Sequence, residues 1–272
     1  MIYSDSILIF LLILIFGLIV GSFVGAYTYR WPRGISISEG RSKCPRCKTV
    51  ISWYDNIPLL SFILLKGKCR KCGKKISLRY PLIEFSTAFI FILVYLNFSG
   101  FAANMQNPSL TQMSTFLVLA YYFLISAALV IIFVIDLEHK LIPDEVTFFI
   151  FTLSFFNLIL TSNEKFYEIL LSAFLTSSFF LFLNLVTLGR GMGLGDVKLV
   201  LASSLVLADY KLIITFIFLS FFIGSIIGIF LILIKKAKFG KQIPFAPFLI
   251  TSLFITIMWG DKLSVYLLPY LK

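Results

Sequence analysis

Long apolar runs alternate with short polar segments along most of this chain. Eight runs predict membrane-spanning helices, at about 6–29, 81–99, 114–135, 146–161, 167–188, 199–209, 211–234 and 244–260. The sixth run is short for a full bilayer crossing, and either local thinning of the bilayer or a tilted, half-sheltered helix would accommodate it. The pattern therefore predicts an all-α polytopic membrane protein with about eight transmembrane helices.

One sizeable polar segment, about 30–80, interrupts this pattern. Its position divides the chain into three predicted parts: a first transmembrane helix over 1–29, a small cytoplasmic domain over 30–80 and a larger transmembrane domain over 81–272. Composition agrees, because 59% of the 272 residues are hydrophobic and 14% are charged. That balance excludes an ordinary water-soluble domain.

Positive charge is concentrated in a few segments. Thirteen of the twenty-four Lys and Arg residues lie in 30–80, and seven more lie in 136–145, 189–198 and 235–243. By the positive-inside rule these segments face the cytoplasm, and both termini then lie outside, which requires an even number of spans. The first run is too long for a cleaved signal peptide, and its basic residues follow it. We expect contact with anionic lipid headgroups and no nucleic acid, despite the net charge of +11.

All four cysteines lie in the polar segment, in 44-CPRC-47 and 69-CRKC-72. Two CxxC knuckles separated by about twenty residues are typical of a tetrahedral zinc site. Its ligands would be Cys44, Cys47, Cys69 and Cys72. Four thiolates leave no open coordination position, so the zinc would be structural and would staple a segment too small for a large core. Two disulfides or a redox pair are the alternative, which a reducing cytoplasm disfavours.

Two carboxylates are predicted at the same depth of the membrane. Asp136 closes the third run, and Asp196 lies in the glycine turn 189-GRGMGLGDVK-198, just before the sixth run. Two carboxyl groups at one site share a proton, so that one can activate water while the other polarises a peptide carbonyl. The alternative for each is a helix cap or a lysine pair, and Asp144 is a good cap for the fourth run. Lys198 would either bias the protonation of the pair or mark the cytoplasmic edge.

Glycines recur at helical spacing in two of the runs. Gly17, Gly21 and Gly25 repeat every four residues in the first run, and Gly224 and Gly228 do so in the seventh. Small faces of this kind let membrane helices approach one another closely. Glycine is also simply common in membrane helices, and this second interpretation stays open.

Together these features resemble the type IV prepilin peptidases, a family of aspartic membrane endopeptidases. Matching segments follow the order of that family along nearly the whole chain: 21-GSFVGAYTYR-30, 44-CPRC-47, 56-NIPLLSF-62, 67-GKCRKC-72, 79-RYPLIE-84, Asp136 with 142-IPD-144, and the GxGD turn with Lys198. The resemblance implies that Asp136 and Asp196 are the catalytic residues. It also implies cleavage of the basic leader of prepilins and pseudopilins, after a glycine, at the cytoplasmic face of the bacterial inner membrane.

The resemblance implies a second activity as well. Full-length members methylate the new N-terminal amine with S-adenosylmethionine, and the cysteine domain is tied to that step. The chain has no glycine-rich fingerprint for this methyl donor. Glu84, at the end of 76–84, is therefore a candidate donor-binding residue by resemblance only, and an interfacial acid at the start of the second helix is the alternative.

Three other interpretations of these features lead to different predictions. A proton-coupled transporter could use Asp136 and Asp196 as a proton relay, but transporters place such groups near midplane and often in repeated halves. This chain has no internal repeat. A zinc-stabilised scaffold without catalysis would tolerate asparagine at both positions, and a peptidase without methyl transfer is a further alternative.

Overall fold

Helices account for nearly all of the regular structure in the described part of the chain. The structure is a computed structural model, which describes residues 2–37, 40–103, 108–161, 165–189, 191–234 and 243–267. The α-helices are α1 (Ile2–Arg30), α2 (Leu60–Leu64), α3 (Arg79–Ala103), α4 (Pro108–His139), α5 (Asp144–Thr161), α6 (Phe166–Val186), α7 (Leu194–Leu207), α8 (Tyr210–Leu233) and α9 (Ala246–Leu267). Two short 3₁₀ turns at Trp31–Arg33 and Trp53–Asn56 and two isolated β-bridges complete the described structure.

Seven of the predicted spans are confirmed as helices that are long and apolar enough to cross a membrane. Among the described residues these are Ile7–Arg33, Arg79–Phe98, Phe116–His139, Asp144–Thr161, Phe166–Val186, Tyr210–Leu233 and Ala246–Leu267. The eighth, α7, is a helix as predicted but has only 14 residues. Arg190 and the lysines of 235–242, which contribute to the orientation argument, lie outside the described residues.

The chain divides into two compact units, Met1–Ile131 and Ile132–Lys272. In the first, α1 packs closely along α3. A side-chain carbon placed on Gly17 would lie 2.6 Å from Cα of Ala88, and one on Gly21 would lie 2.6 Å from Cα of Glu84. The predicted small face is therefore confirmed at these two glycines, where any larger residue would push α1 and α3 apart.

In the second unit, α7 is the central helix. It packs against α5, α6, α8 and α9, and ten of its fourteen residues are buried. Shelter of this short helix by its neighbours is therefore confirmed, and its tilt in the bilayer stays a prediction. On α8, a side-chain carbon on Gly224 would lie 3.2 Å from Cδ2 of Phe248, whereas one on Gly228 would meet nothing within 4 Å among the described residues. The predicted close packing is therefore confirmed at Gly224 and wrong at Gly228. Burial of α7 on nearly every side fixes the position of its first turn, which carries Asp196.

Candidate active site

Asp196 occupies the third position of α7 and serves as part of its N-terminal cap. Its Oδ2 accepts a hydrogen bond of 3.0 Å from the backbone N–H of Gly193, the residue before the helix. The positive end of the helix dipole favours a carboxylate in this turn. Asp196 is only 6% exposed. The capping interpretation is thus correct for one oxygen of Asp196, and it fixes the orientation of the other.

The glycine turn before α7 is shaped by two close contacts. A side-chain carbon on Gly195 would lie 3.0 Å from Cβ of Ile142, so glycine is what lets the start of α7 lie against the segment before α5. Asn184, buried near the end of α6, donates from Nδ2 to the backbone carbonyl of Met192 at 2.5 Å. Our sequence reasoning missed Asn184, although a polar amide within an apolar run was a usable indication.

Asp136 lies in the last turn of α4, and, like Asp196, it is held by a backbone N–H at the start of a helix, in this case α9. Its carboxylate accepts a hydrogen bond from the backbone N–H of Ala246, the first residue of α9. The positive charge of Lys140 also acts on this carboxylate, and Asp136 is 5% exposed. No sequence pattern indicates Ala246, because its contribution is a backbone group.

The structure brings Asp136 and Asp196 together. The two carboxyl groups interact electrostatically. Each keeps one buried oxygen, Oδ2 of Asp136 and Oδ1 of Asp196, that has no hydrogen-bond partner among the described residues. Buried carboxylate oxygens are rarely left unpartnered unless they have a functional reason. Two interacting carboxyl groups that each keep such an oxygen can hold a shared proton and a water molecule.

Lys198, which is two residues after Asp196 in the sequence, pairs with a different carboxylate. Its Nζ donates to Oδ1 of Asp144 at 2.8 Å, and both side chains are largely exposed. Asp144 is the first residue of α5, where a carboxylate favours the helix start. The lysine therefore joins the starts of α5 and α7 and makes no hydrogen bond to Asp136 or Asp196 in the described structure. His139 lies 3.9 Å from Glu138 at the end of α4.

The four cysteines form a second candidate site, within the first unit. The Sγ atoms of Cys44, Cys47, Cys69 and Cys72 all lie within 4.8 Å of one another. None is in a disulfide. Four sulfur atoms bound to one ion at about 2.3 Å each would also lie within this distance of one another, so the cluster fits the predicted tetrahedral zinc site.

The two knuckles share one backbone design. In the first, the N–H of Lys48 donates to the carbonyl of Cys44 at 2.8 Å, and in the second the N–H of Gly73 donates to Cys69 at 2.9 Å. Lys48 and Gly73 both have left-handed backbones, with φ of 57° and 67°. Hydrogen bonds from the side chain and backbone of Thr49 lower the pKa of Cys47 to about 6. A thiol that ionises easily is a good metal ligand.

Glu84 lies in the second turn of α3, where it connects three parts of the first unit. Its Oε2 accepts from the backbone N–H of Leu59 at 2.9 Å, and the Ser22 hydroxyl also hydrogen-bonds to it. A carboxylate offers about four lone-pair positions, so these bonds leave capacity for a ligand. Glu84 therefore has an observed structural role, and the predicted role in donor binding stays a prediction.

Two sequence models of protein families match the chain. The first is described as the bacterial peptidase A24 N-terminal domain and matches residues 15–98. The second is described as the type IV leader peptidase family and matches residues 123–229. The first match contains all four cysteines and Glu84, and the second contains Asp136 and Asp196.

Several curated proteins match over nearly their whole length. A prepilin leader peptidase/N-methyltransferase of Bacillus subtilis is 31% identical, over 93% of this chain and 95% of the relative. Proteins of the same name from Aeromonas hydrophila and Pseudomonas aeruginosa are 30% and 29% identical, with at least 90% of each chain covered. No solved structure matches the chain.

Proposed function

Because this chain belongs to the type IV leader peptidase family, we propose that it cleaves the basic leader of prepilins and pseudopilins and then methylates the new N-terminal amine. The observation that carries the peptidase proposal is the pair of buried carboxylates, Asp136 and Asp196, each with one oxygen held by a backbone N–H and the other unpartnered. The names of the relatives support both activities.

The peptidase step follows from the chemistry of two carboxyl groups that share one proton. The ionised member takes a proton from a water molecule as its oxygen attacks the peptide carbonyl, while the protonated member donates to the carbonyl oxygen. Collapse of the tetrahedral intermediate returns a proton to the leaving amine and breaks the C–N bond. The pair then again holds one proton. The hydrogen bonds from Gly193 and Ala246 fix both carboxylates during these steps.

For the second step we assign S-adenosylmethionine as the methyl donor, which supplies an electrophilic methyl group to the neutral amine. Glu84 is our candidate for a donor-binding residue, because its carboxylate is already oriented by Leu59 and has lone pairs to spare. Zinc held by the four cysteines would order the cytoplasmic segment that contains Leu59. We place this segment and the carboxylate pair at the cytoplasmic face of the bacterial inner membrane, with both termini outside.

A cleavage assay in membranes or detergent tests the proposal. The substrate is a prepilin with a basic leader, and product mass is followed with and without S-adenosylmethionine. We expect Asp136→Asn and Asp196→Asn each to lower cleavage by at least about 10²-fold. Asp144→Asn is the matched control, since this exposed carboxylate lies in the same part of the chain but pairs with Lys198. Cleavage that survives either dyad substitution would favour the transporter or scaffold interpretations.

The same assay separates the two activities. Glu84→Gln preserves the size of the side chain and can still accept from Leu59. We expect it to leave cleavage intact and to remove the one-methyl mass gain that the wild-type product shows when the donor is present. Normal methylation by this variant would exclude Glu84 from donor binding without affecting the peptidase proposal.

A further inference from the structure

The short helix α2 exposes an apolar face. Leu60, Ile63 and Leu64 share one side of the helix by their spacing, and they are 49%, 69% and 70% exposed. Ser61 is buried, and its hydroxyl donates to the carbonyl of Tyr54 at 2.9 Å. The polar side of α2 is thus used within the domain, and the apolar side has no cover within the described structure. A cluster of this kind is unfavourable in water and indicates an interaction surface.

A hydrogen bond fixes the depth of α2. The residue before the helix, Leu59, donates its backbone N–H to Glu84 at 2.9 Å. Glu84 follows the start of α3 at Arg79 by five residues, about 7.5 Å along the helix axis. Since Arg79–Phe98 is one of the candidate membrane spans, α2 begins at the level of the second turn of a membrane helix. That level corresponds to the headgroup and upper acyl-chain region.

Basic residues next to α2 and an exposed apolar surface on α3 both indicate that the lipid bilayer covers the apolar face of α2. Lys66, Lys68 and Lys71 follow α2 directly, and apolar segments with adjacent basic residues lie in the plane of anionic membranes. On the same level of α3, Leu82 and Phe85 are also exposed, as expected for a helix that faces lipid. The apolar face of α2 therefore extends a membrane-facing surface that α3 already provides.

We propose that α2 inserts Leu60, Ile63 and Leu64 into the interfacial region of the bilayer and so anchors the cysteine domain to the membrane surface. The anchor goes beyond the peptidase and methyltransferase activities and does not depend on either. It restrains the domain at a further point, in addition to its covalent connections to α1 and α3 and the hydrogen bond between Leu59 and Glu84. A domain held in this way keeps the segment between the knuckles at the height of the membrane surface.

Depth-dependent tryptophan quenching tests the anchor in the full chain. The native Trp31, Trp53 and Trp259 are replaced by phenylalanine, and single tryptophans are introduced by Leu64→Trp, Leu82→Trp or Val50→Trp. Each protein is reconstituted in vesicles of phosphatidylcholine and phosphatidylglycerol, with or without lipids brominated on the acyl chains. Leu82 is the reference on the membrane helix, and Val50, which is 43% exposed in the first knuckle, is the reference within the domain.

We expect the tryptophan at position 64 to be quenched by brominated lipid to within about twofold of the one at position 82, and to be protected from acrylamide. The tryptophan at position 50 should be quenched by acrylamide and not by brominated lipid. Ile63→Trp is a second test variant on the same face, and retention of one zinc per chain checks that each variant is folded. Quenching by acrylamide but not by brominated lipid at both 63 and 64 would overturn the anchor. So would protection that appears only after a prepilin is added, because the face would then be a substrate surface.

Discussion

The cysteine cluster and the carboxylate pair differ in how far along the chain their members lie. The four cysteines fall within residues 44–72, in two short knuckles of the same backbone design. Asp136 and Asp196 come from two different helices, and each is held by a backbone N–H at the start of a helix. The thiols are oriented by local turns, whereas the carboxylates are positioned by long-range packing.

This difference determines what each site depends on. Four thiolates close together repel one another, so their arrangement depends on the ion that neutralises them. The carboxylates are fixed by hydrogen bonds from Gly193 and Ala246 and by the burial of α7. Loss of the metal should therefore affect only the first site, and a packing change near α7 should affect only the second.

The largest expected effect comes from removing one zinc ligand. Cys69→Ser should abolish stoichiometric zinc binding and methyl transfer, while cleavage stays within about fivefold of wild type, the equivalent of roughly 1 kcal/mol. Zinc content by atomic absorption and product mass with S-adenosylmethionine measure the two outcomes. Loss of cleavage together with zinc would show that the sites are not independent.

A substitution in the glycine turn should affect the carboxylate pair and leave the cysteine cluster unchanged. Gly195→Val would place a branched side chain against Ile142, where even a single carbon would lie 3.0 Å away. A displacement of Asp196 by about 1 Å should lower cleavage on the order of 10²-fold, with zinc retained. Gly228→Val is the control, because a side-chain carbon there meets nothing within 4 Å. Equal activities of the two variants would refute a role for the Gly195 contact.

A smaller effect is expected within the first knuckle. The Thr49 hydroxyl donates to Sγ of Cys47 at 3.1 Å and, with the Thr49 backbone, lowers the pKa of Cys47 to about 6. In the metal-free protein this thiol should be ionised above about pH 6, before a thiol of ordinary pKa near 8.5. Thr49→Val should raise the pKa of Cys47, so that zinc binding weakens as the pH falls toward 6. Ultraviolet thiolate absorbance during a pH titration measures the shift, and an unchanged curve would contradict it.

The smallest effect is expected at the exposed ion pair of the second unit. Lys198→Gln removes the 2.8 Å contact with Asp144. Exposed pairs contribute up to about 1 kcal/mol and are screened by salt, so cleavage should fall by less than about fivefold. A loss as large as that of the Asp196 variant would mean that Lys198 acts directly on the carboxylate pair, as one sequence interpretation allowed.

Features that depend on spacing along the chain were predictable from the sequence. Among the described residues, the apolar runs located seven long helices and the shorter α7, because a long apolar stretch has few other stable structures in a membrane. The CxxC spacing located the cysteine cluster, and the positions of Asp136 and Asp196 at the ends of their runs put them at a common depth. The ordered motifs identified the family.

Contacts made by backbone groups were not predictable. Nothing in the sequence indicates that Ala246 donates to Asp136 or that Leu59 donates to Glu84, because any residue type can offer its N–H. Lys198 pairs with Asp144, 54 residues away, although its nearest carboxylate in sequence is Asp196. These contacts depend on how the helices pack, which the hydrophobic pattern leaves undetermined.

The shortness of α7 has a consequence for the backbone groups at its ends. A helix of 14 residues rises about 21 Å, roughly 9 Å less than the hydrocarbon core of a bilayer. Its neighbours α5, α6 and α8 have 18, 21 and 24 residues, so longer helices surround its ends. The backbone there must be solvated by water or by protein. Because Lys198 pairs with Asp144 and Gly195 lies against Ile142, the start of α7 lies beside the start of α5, and the missing length falls at the turn between α7 and α8. There the Asp209 carboxylate accepts hydrogen bonds from the backbone N–H groups of Lys211 and Leu212, so the protein itself satisfies polar backbone groups that the short helix leaves at this end.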